Sequence, residues 1–286
     1  MSLSVIYWNV DPNVIPGWGM PRWYGVMWIF GIYTAYKVME MIYKKEGKDL
    51  VELYNLVFYI MVSAVIGARL GHVFFYDWAY YSQHPIEILP IKLEPSFHFT
   101  GLNGLASHGG IFAGFFGLYL YNRKRKINYL WLLDRITICA GMLGGAIRLG
   151  NLFNSEIFGK ATDLPWAFVF QRVDNVPRHP TQLYEALFYF GTTMVFYQLY
   201  KRKPRRPGYF IGLGAAVIFG QRFLVEFIKE NQVDFEAGMA LNMGQLLSIP
   251  IILFGLIVWF WSLKGGQRPL ALDSQDTNEN DEEHSA

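Results

Sequence analysis

Charged residues and cysteines are both scarce in this chain. Asp, Glu, Lys and Arg make up 17% of its 286 residues, whereas 52% are hydrophobic. Soluble domains carry roughly 25% charged residues, so the balance indicates a polytopic membrane protein. The single cysteine, Cys139, excludes an internal disulfide or a cysteine-based metal site, and we interpret it as a small buried apolar residue.

Positive charge and apolar runs are missing from the first twenty residues, so no cleavable signal peptide is expected there. Membrane insertion then depends on the hydrophobic segments, and a span needs about 20 mostly apolar residues. The stretches 74–102 and 149–180 are long enough to form arms or a small head at the membrane surface. Seven candidate spans lie at about 22–43, 51–73, 103–122, 128–148, 181–200, 208–228 and 244–263.

Basic residues cluster in alternate connections, which decides the predicted orientation. By the positive-inside rule, those connections are cytoplasmic. The sequence thus predicts an all-α polytopic membrane protein with about seven transmembrane helices, its N-terminus outside and its C-terminus cytoplasmic. The tail 272–286 is acidic and lacks an apolar pattern, which predicts disorder. The clustered basic residues are Lys44, Lys45, Lys48, Arg123 to Lys126, Lys201 to Arg206, Lys264 and Arg268, whereas the other connections hold only Lys92, Lys160, Arg172, Arg178 and Lys229.

Polar residues concentrate at the predicted outer ends of six spans, most densely between Arg148 and Gly159. An arginine near the bilayer centre costs roughly 2.5–3.5 kcal/mol, so such residues normally mark function or pair with one another. The arginines outnumber Glu156 and Glu226, and this surplus of positive charge suits an anion such as a lipid phosphate. The groups at this level are Tyr24, Arg69, His72, His108, Arg148, His179, Arg222 and Glu226.

Several of these residues also have a structural interpretation. Arg222 and Glu226 are spaced i,i+4 and share a helix face, where they can neutralise each other. Arg69 lies among small residues that favour close helix packing, and it can equally snorkel or have a structural role. His179 precedes Pro180 and is consistent with a cap at the start of a helix.

His108, followed by Gly109 and Gly110, is the strongest candidate for a catalytic or direct substrate role. Glycines leave it open to another molecule, and histidine is the side chain best suited to moving protons near neutral pH. Asn151 and Asn154 can alternatively satisfy backbone groups where the fourth helix ends. Tyr24 also fits an aromatic belt at the membrane surface.

The pattern Arg-x-Gly-Asn-x-x-Asn-x-Glu-x-x-Gly at 148–159 resembles the signature of bacterial phosphatidylglycerol–prolipoprotein diacylglyceryl transferases. Six further matches follow the family's order and cover nearly the whole chain except the acidic tail. They are Trp23-Tyr24-Gly25, Gly67-Ala68-Arg69-Leu70-Gly71, His108-Gly109-Gly110, Arg178-His179-Pro180-Thr181-Gln182-Leu183-Tyr184-Glu185, Arg222-Phe223-x-x-Glu226-Phe227 and Met243-Gly244-Gln245.

The resemblance implies a seven-helix enzyme of the bacterial cytoplasmic membrane, with residues 1–271 as one catalytic transmembrane domain. Such an enzyme moves the diacylglyceryl group of phosphatidylglycerol onto the lipobox cysteine of an exported prolipoprotein and releases glycerol 1-phosphate. Its active site faces the extracytoplasmic side, and no cofactor, metal or nucleic acid is expected. The implied residues are Arg148 and Arg222 for the lipid headgroup, His108 for activity, Tyr24, Asn151, Asn154, Glu156 and Glu226 for the shape of the site, and Arg69 and His179 for support.

Two other classes of protein remain open from the residues alone. A secondary transporter of a small anion also carries charges within its helices, but it places them near mid-depth and often repeats its halves. Here the predicted polar level is at one end, and the chain has no convincing internal repeat. A non-catalytic membrane scaffold has no need for so many ionisable groups at one level.

Overall fold

The computed structural model of the chain describes residues 5–89, 91–92, 97–99, 104–230, 236 and 238–264. The predicted acidic tail lies outside the described residues. The chain divides into a larger unit, Met1–Val38 with Leu133–Ala286, and a smaller unit, Met39–Leu132. A single catalytic domain over 1–271 stays a prediction.

The described chain is mostly helical, as the sequence predicts. Each predicted span corresponds to one helix of 17 to 26 residues. The eight α-helices are α1 (Trp23–Lys45), α2 (Leu50–Phe75), the short α3 (Trp78–Tyr81), α4 (Ser107–Arg125), α5 (Tyr129–Asn154), α6 (Thr181–Arg202), α7 (Tyr209–Val225) and α8 (Met243–Lys264).

Three of these helices, α2, α5 and α8, are long and apolar enough to cross a membrane. The apolar helix α7 is shorter than a typical span. In the most apolar 18-residue stretch of α5, 56% of the residues are buried, whereas in the corresponding stretches of α2 and α8 only 17% are buried. A helix with mostly exposed apolar side chains needs lipid or protein around it, so the chain is a membrane protein. The full set of seven crossings stays a prediction.

In the smaller unit, α2 and α4 pack along each other through glycines. A Cβ atom added to Gly109 would lie 2.2 Å from the backbone oxygen of Gly67 and 2.9 Å from the Cα of Gly71. The two backbones therefore approach more closely than any larger residue allows. A 3₁₀ turn (Pro85–Ile88) and the paired strands β2 (Ile91–Lys92) and β3 (His98–Phe99) follow α3 within the predicted arm 74–102.

Replacing Gly109 with alanine is expected to destabilise the protein by about 1–3 kcal/mol, because the added methyl group meets backbone atoms that cannot turn aside. Thermal unfolding of the purified protein in detergent measures the effect. Gly114→Ala is the matched control on the same helix, since a Cβ there meets nothing within 4 Å. Equal melting temperatures for the two variants would show that this helix contact is not tight.

In the larger unit, two strands of the predicted head 149–180 form a three-stranded sheet with a strand near the N-terminus. Strand β1 (Ile6–Trp8) pairs in parallel with β4 (Phe168–Phe170), which pairs antiparallel with β5 (Pro177–Arg178). Leu152, Phe168 and Phe170 form a small core beneath it, against which Trp8, Phe158 and Leu183 pack. The head thus has its own apolar centre and rests on the end of α5.

The predicted boundary between the fourth span and the head is wrong by about two turns. We expected that span to end at residue 148, but α5 continues to Asn154. The polar groups of 148–154 therefore project from a regular helix, where residues three apart are neighbours. Hydrogen bonding explains the extension, because Arg148 donates to Asn151, and the amides of Asn151 and Asn154 both donate to the following Glu156.

The buried Asp134 on α5 caps the N-terminus of α7. Its two carboxylate oxygens accept hydrogen bonds from the backbone N–H of Gly208 (2.9 Å) and of Ile211 (2.8 Å). A carboxylate at this end satisfies unpaired N–H groups and complements the helix dipole. Asp134 therefore joins α5 to α7, two helices that carry candidate site residues at their C-terminal ends.

Candidate active site

Arg148, in the second-last turn of α5, is held by two neighbours. Its Nε atom lies 3.1 Å from Oε2 of Glu185 on α6, and its terminal nitrogen donates to Oδ1 of Asn151 (3.3 Å). The Glu185 side chain is completely buried, and that of Arg148 is 16% exposed. A buried carboxylate needs such a partner, so the pair fixes the guanidinium between α5 and α6.

The chain turns sharply after α5, and amide groups stabilise the turn. The side-chain amides of Asn151 and Asn154 both donate to Oε1 of Glu156, at 2.8 and 3.2 Å. Ser155 and Ile157 have positive φ angles of 56° and 59°, a strained conformation for residues with a Cβ atom. The hydrogen bonds around the turn offset this strain. The sequence left open that the Asn151 and Asn154 amides satisfy backbone groups at the helix end, but their NH₂ groups bind the Glu156 carboxylate.

The first turn of α6 supports the same turn from the other side. Gln182 donates its amide to the backbone oxygen of Glu156 (2.8 Å), and the hydroxyl of Thr181 donates to that of Ile157 (2.9 Å). Both side chains are fully buried. The Glu156 carboxylate is thereby held beside Asn151 and, through it, beside Arg148.

A second cluster forms where α7 ends. Glu226 caps α7, and its Oε1 atom lies 3.9 Å from Nε of Arg222 and 3.3 Å from Nζ of Lys229. Its other oxygen accepts a hydrogen bond from the amide of Asn242, just before α8 (3.0 Å). Arg222 and Glu226 share a helix face, as predicted, but at 3.9 Å they form only a loose ion pair. The Arg222 side chain is also 41% exposed. Arg222 therefore has room to contact a ligand.

The two clusters are joined by Lys229. Its ammonium group lies 3.2 Å from Oε1 of Glu185, whose other oxygen contacts Arg148. The result is a continuous ionic network across α5, α6 and α7. Its members are Arg148, Asn151, Asn154, Glu156, Glu185, Arg222, Glu226, Lys229 and Asn242.

The expected surplus of positive charge is absent from this network as the described residues form it. Our count set Arg69, Arg148 and Arg222 against Glu156 and Glu226, and it omitted Glu185 and Lys229, whose opposite charges cancel. Arg69 lies in the smaller unit and is not a member of this network. The network therefore holds three formal positive charges (Arg148, Arg222 and Lys229) and three formal negative charges (Glu156, Glu185 and Glu226). An anion would therefore bind through directed N–H donors, most accessibly those of Arg222, and not through excess charge.

Tyr24 and His179 contact residues next to the network in the larger unit or in the head. Tyr24 packs against Gly150, where an added Cβ would lie 2.8 Å from its ring, and it also contacts Trp28. Nδ1 of His179 lies 3.5 Å from the hydroxyl of Tyr184, which accepts a hydrogen bond from Trp166. His179 also closes the turn through its backbone, because its N–H donates to the oxygen of Lys160 and its oxygen accepts from Gly159.

Arg178 ties the head together. It pairs with Asp174 through two hydrogen bonds and with Glu230, while its guanidinium lies 4.9 Å from the ring centre of Phe158. The hydrogen bond from Arg178 lowers the pKa of Asp174 below its ordinary value, and Asp174 in turn raises the pKa of Arg178. The pair therefore stays ionised throughout the neutral range.

In the smaller unit, Arg69 contacts the backbone of the predicted arm. It donates from Nε to the backbone oxygen of Ile88 (2.9 Å) and from a terminal nitrogen to that of Glu87 (2.6 Å), and its guanidinium lies 4.9 Å from the ring centre of Tyr81. These contacts fasten the 3₁₀ turn to α2. The sequence left snorkelling and a structural role open for Arg69, and these contacts are the kind that a structural role requires.

His108, in the first turn of α4, is exposed and lines a cavity of about 310 Å³. The ring of His72 lines the same cavity, stacks on Tyr76, and lies 4.0 Å from a carboxylate oxygen of Asp77. An exposed imidazole at a cavity wall can accept a proton from a bound molecule. The other lining residues are Tyr76, Leu105 and Ala106.

Three residues of the ionic network were not predicted from the sequence: Glu185, Lys229 and Asn242. Lys229 was placed in an outer connection, and Glu185 was quoted only as part of a motif. The sequence did contain one sign that Glu185 belongs to a buried polar site. Gln182 and Glu185 are three residues apart in α6, and a predicted membrane helix rarely carries an amide and a carboxylate on one face.

These features define a helical membrane protein with a buried ionic centre. The family model described as "Prolipoprotein diacylglyceryl transferase" matches residues 17–261, and the chain belongs to this family. Similar proteins, each named "Phosphatidylglycerol--prolipoprotein diacylglyceryl transferase", occur in Bacteroides fragilis (48% identical, covering 91% of this chain and 96% of the relative), Chloroherpeton thalassium (41%, 92% and 97%) and Tolumonas auensis (40%, 91% and 98%). The predicted family resemblance is confirmed.

Proposed function

We propose that this protein transfers the diacylglyceryl group of phosphatidylglycerol to the thiol of the lipobox cysteine in exported prolipoproteins. The family match across residues 17–261 carries this proposal. In the reaction, the cysteine sulfur forms a bond to the glycerol carbon while the bond from that carbon to the phosphate ester oxygen breaks. The thiol loses its proton, and glycerol 1-phosphate leaves.

Arg148 and Arg222 bind the phosphate of the lipid headgroup. A guanidinium offers paired N–H donors that match the oxygens of a phosphate, and these contacts strengthen as the leaving group gains charge. The exposure of Arg222 supports its direct contact with lipid. The burial of Arg148 against Glu185 supports a fixed orientation, so that little reorganisation is needed when the headgroup binds.

His108 accepts the thiol proton. A cysteine thiol has a pKa near 8.5, so forming a thiolate at neutral pH costs about 2 kcal/mol. A positioned base removes much of that cost. The exposed ring of His108 at a cavity wall supports this role, since the cavity can admit a side chain of the size of cysteine.

The remaining candidate residues shape the site. Glu156 holds Arg148 in place through Asn151, and Asn154 helps to fix Glu156. Glu226 contacts Arg222 directly. Tyr24 covers the helix turn that presents Arg148. Arg69 and His179 support the arm and the head.

The protein resides in the bacterial cytoplasmic membrane and crosses it seven times, with its site facing outward. The basic residues of the alternate connections support this orientation. Cys139 is buried, so a cysteine introduced at exposed Trp18 or Lys203 is the accessible thiol. An impermeant thiol reagent added to intact cells should label the Trp18→Cys variant but not the Lys203→Cys variant, and the reverse pattern would overturn the orientation.

The direct test is an assay with purified protein, phosphatidylglycerol vesicles and a peptide that carries a lipobox cysteine. We expect a thioether-linked diacylglyceryl peptide and one glycerol 1-phosphate for each peptide modified. A peptide with serine in place of the cysteine is the control and should remain unmodified. Absence of the thioether product with folded protein would refute the function and return the choice to a transporter or a scaffold.

A further inference from the structure

Lys229 is a nearly completely buried lysine at the C-terminal side of α7, with a side chain that is 2% exposed. Its ammonium group contacts a carboxylate on α6, Glu185 (3.2 Å), and one at the end of α7, Glu226 (3.3 Å). Lysine is rarely buried unless paired, because removing its charge from water is costly. The fold therefore retains Lys229 together with two carboxylates.

Each of these carboxylates also contacts one of the two arginines. Glu185 divides its oxygens between Lys229 and Arg148, whereas Oε1 of Glu226 lies near both Lys229 and Arg222. Charges of alternating sign thus run from Arg148 to Arg222, with Lys229 at the middle. Neither arginine contacts Lys229 directly, so any effect of the lysine on them passes through Glu185 and Glu226.

We propose that Lys229 is a positioning residue that sets the separation and orientation of Arg148 and Arg222, so that both can engage one phosphate group. This inference rests on the proposed function. Without the lysine, no positive charge would lie between the carboxylates of Glu185 and Glu226. Each carboxylate would then interact more strongly with its own arginine, Arg148 or Arg222. The network would also change from formally neutral to net negative, which disfavours an anionic headgroup.

The test compares Lys229→Met, which removes the charge but keeps an unbranched side chain, with Lys229→Arg, which keeps the charge. Full-length variants are assayed with phosphatidylglycerol vesicles and a lipobox peptide. For Lys229→Met we expect kcat/KM for phosphatidylglycerol to fall on the order of 10²-fold, the loss typical of a small misplacement of binding groups. KM for the peptide should stay unchanged, and Lys229→Arg should recover activity to within about tenfold of wild type.

Inhibition by glycerol 1-phosphate gives a second measurement that a merely structural role would not move. As a phosphate ester, it probes the arginine pair directly, and its inhibition constant should rise roughly tenfold in Lys229→Met. Lys203→Met is the matched control, because Lys203 is exposed at the end of α6 and lies outside the network. Its kinetic constants should equal those of wild type.

Lys229→Met with a lowered melting temperature but with kinetic constants within about twofold of wild type would overturn the proposal. Equal deficits in Lys229→Arg and Lys229→Met would overturn it as well, since charge would then not matter. If Lys229→Met does not fold, the double variant Glu185→Gln/Lys229→Met removes one opposing carboxylate, and the same fall in kcat/KM for phosphatidylglycerol, relative to Glu185→Gln alone, is required of it. An inactive wild-type protein would refute the proposed function, whereas an active wild type with an equally active variant refutes only the role of Lys229.

Discussion

Arg148→Ala is expected to lower kcat/KM for phosphatidylglycerol by roughly 10²–10³-fold, the loss seen when a fixed donor to a developing negative charge is removed. The reason lies in how Arg148 is held. Its contacts with Glu185 and Asn151 aim the guanidinium before substrate arrives, so the binding group is already ordered when the phosphate ester begins to leave. The measurement is the initial rate of thioether formation over a range of lipid concentrations.

Arg148→Lys separates charge from geometry. Lysine keeps the positive charge beside Glu185 but cannot donate a planar pair of hydrogen bonds, so most of the loss should remain. Arg172→Ala is the control, because Arg172 is an exposed arginine of the head and belongs to no part of the ionic network. If Arg148→Ala folded and turned over phosphatidylglycerol at the wild-type rate, the headgroup assignment would fail.

The helices could be predicted from the sequence because a membrane helix is a local feature. Helices α2, α5 and α8 are runs of apolar residues long enough to be recognised without knowledge of their neighbours. The end of α5 was misplaced for a related reason. Asn151 and Asn154 resemble loop residues by type, but their hydrogen bonds to Glu156 extend the regular helix past Arg148.

The ionic network was only half predictable. Arg222 and Glu226 are four residues apart, so their shared face follows from helix geometry. The pairing of Lys229 with Glu185 joins residues 44 positions apart, and it exists only once α6 and α7 have packed. The parallel pairing of β1 with β4 joins Tyr7 to Val169 and was unpredictable for the same reason.

Counting arginines against nearby glutamates predicted a site that attracts anions by surplus charge. Arg69, one of the arginines counted, lies in the smaller unit and is not a member of the ionic network. Within the network the charges balance and the arginines are fixed by their carboxylates, so orientation and not surplus charge explains anion binding. Arg148 and Arg222 are therefore better described as aimed donors, and substitutions that disturb their aim should matter as much as those that remove them.

His108→Gln is expected to reduce transfer by roughly 10²–10⁴-fold near neutral pH, the range that general base catalysis contributes. Glutamine keeps a polar side chain of similar reach at the wall of the cavity but cannot take a proton from a thiol. His84→Gln is the control, because His84 is an exposed imidazole before the 3₁₀ turn and does not line that cavity. The rate of peptide modification at saturating phosphatidylglycerol measures the loss.

The pH dependence of this deficit distinguishes a base from a binding group. The peptide thiol ionises without help above its ordinary pKa of about 8.5, so the deficit of His108→Gln should narrow as the pH rises to about 9. If His108 only bound substrate, the rate deficit of His108→Gln would have a constant size across this range. The loss of a binding contact does not depend on which group removes the thiol proton. A constant deficit would therefore remove His108 from the proton transfer while leaving it in the site.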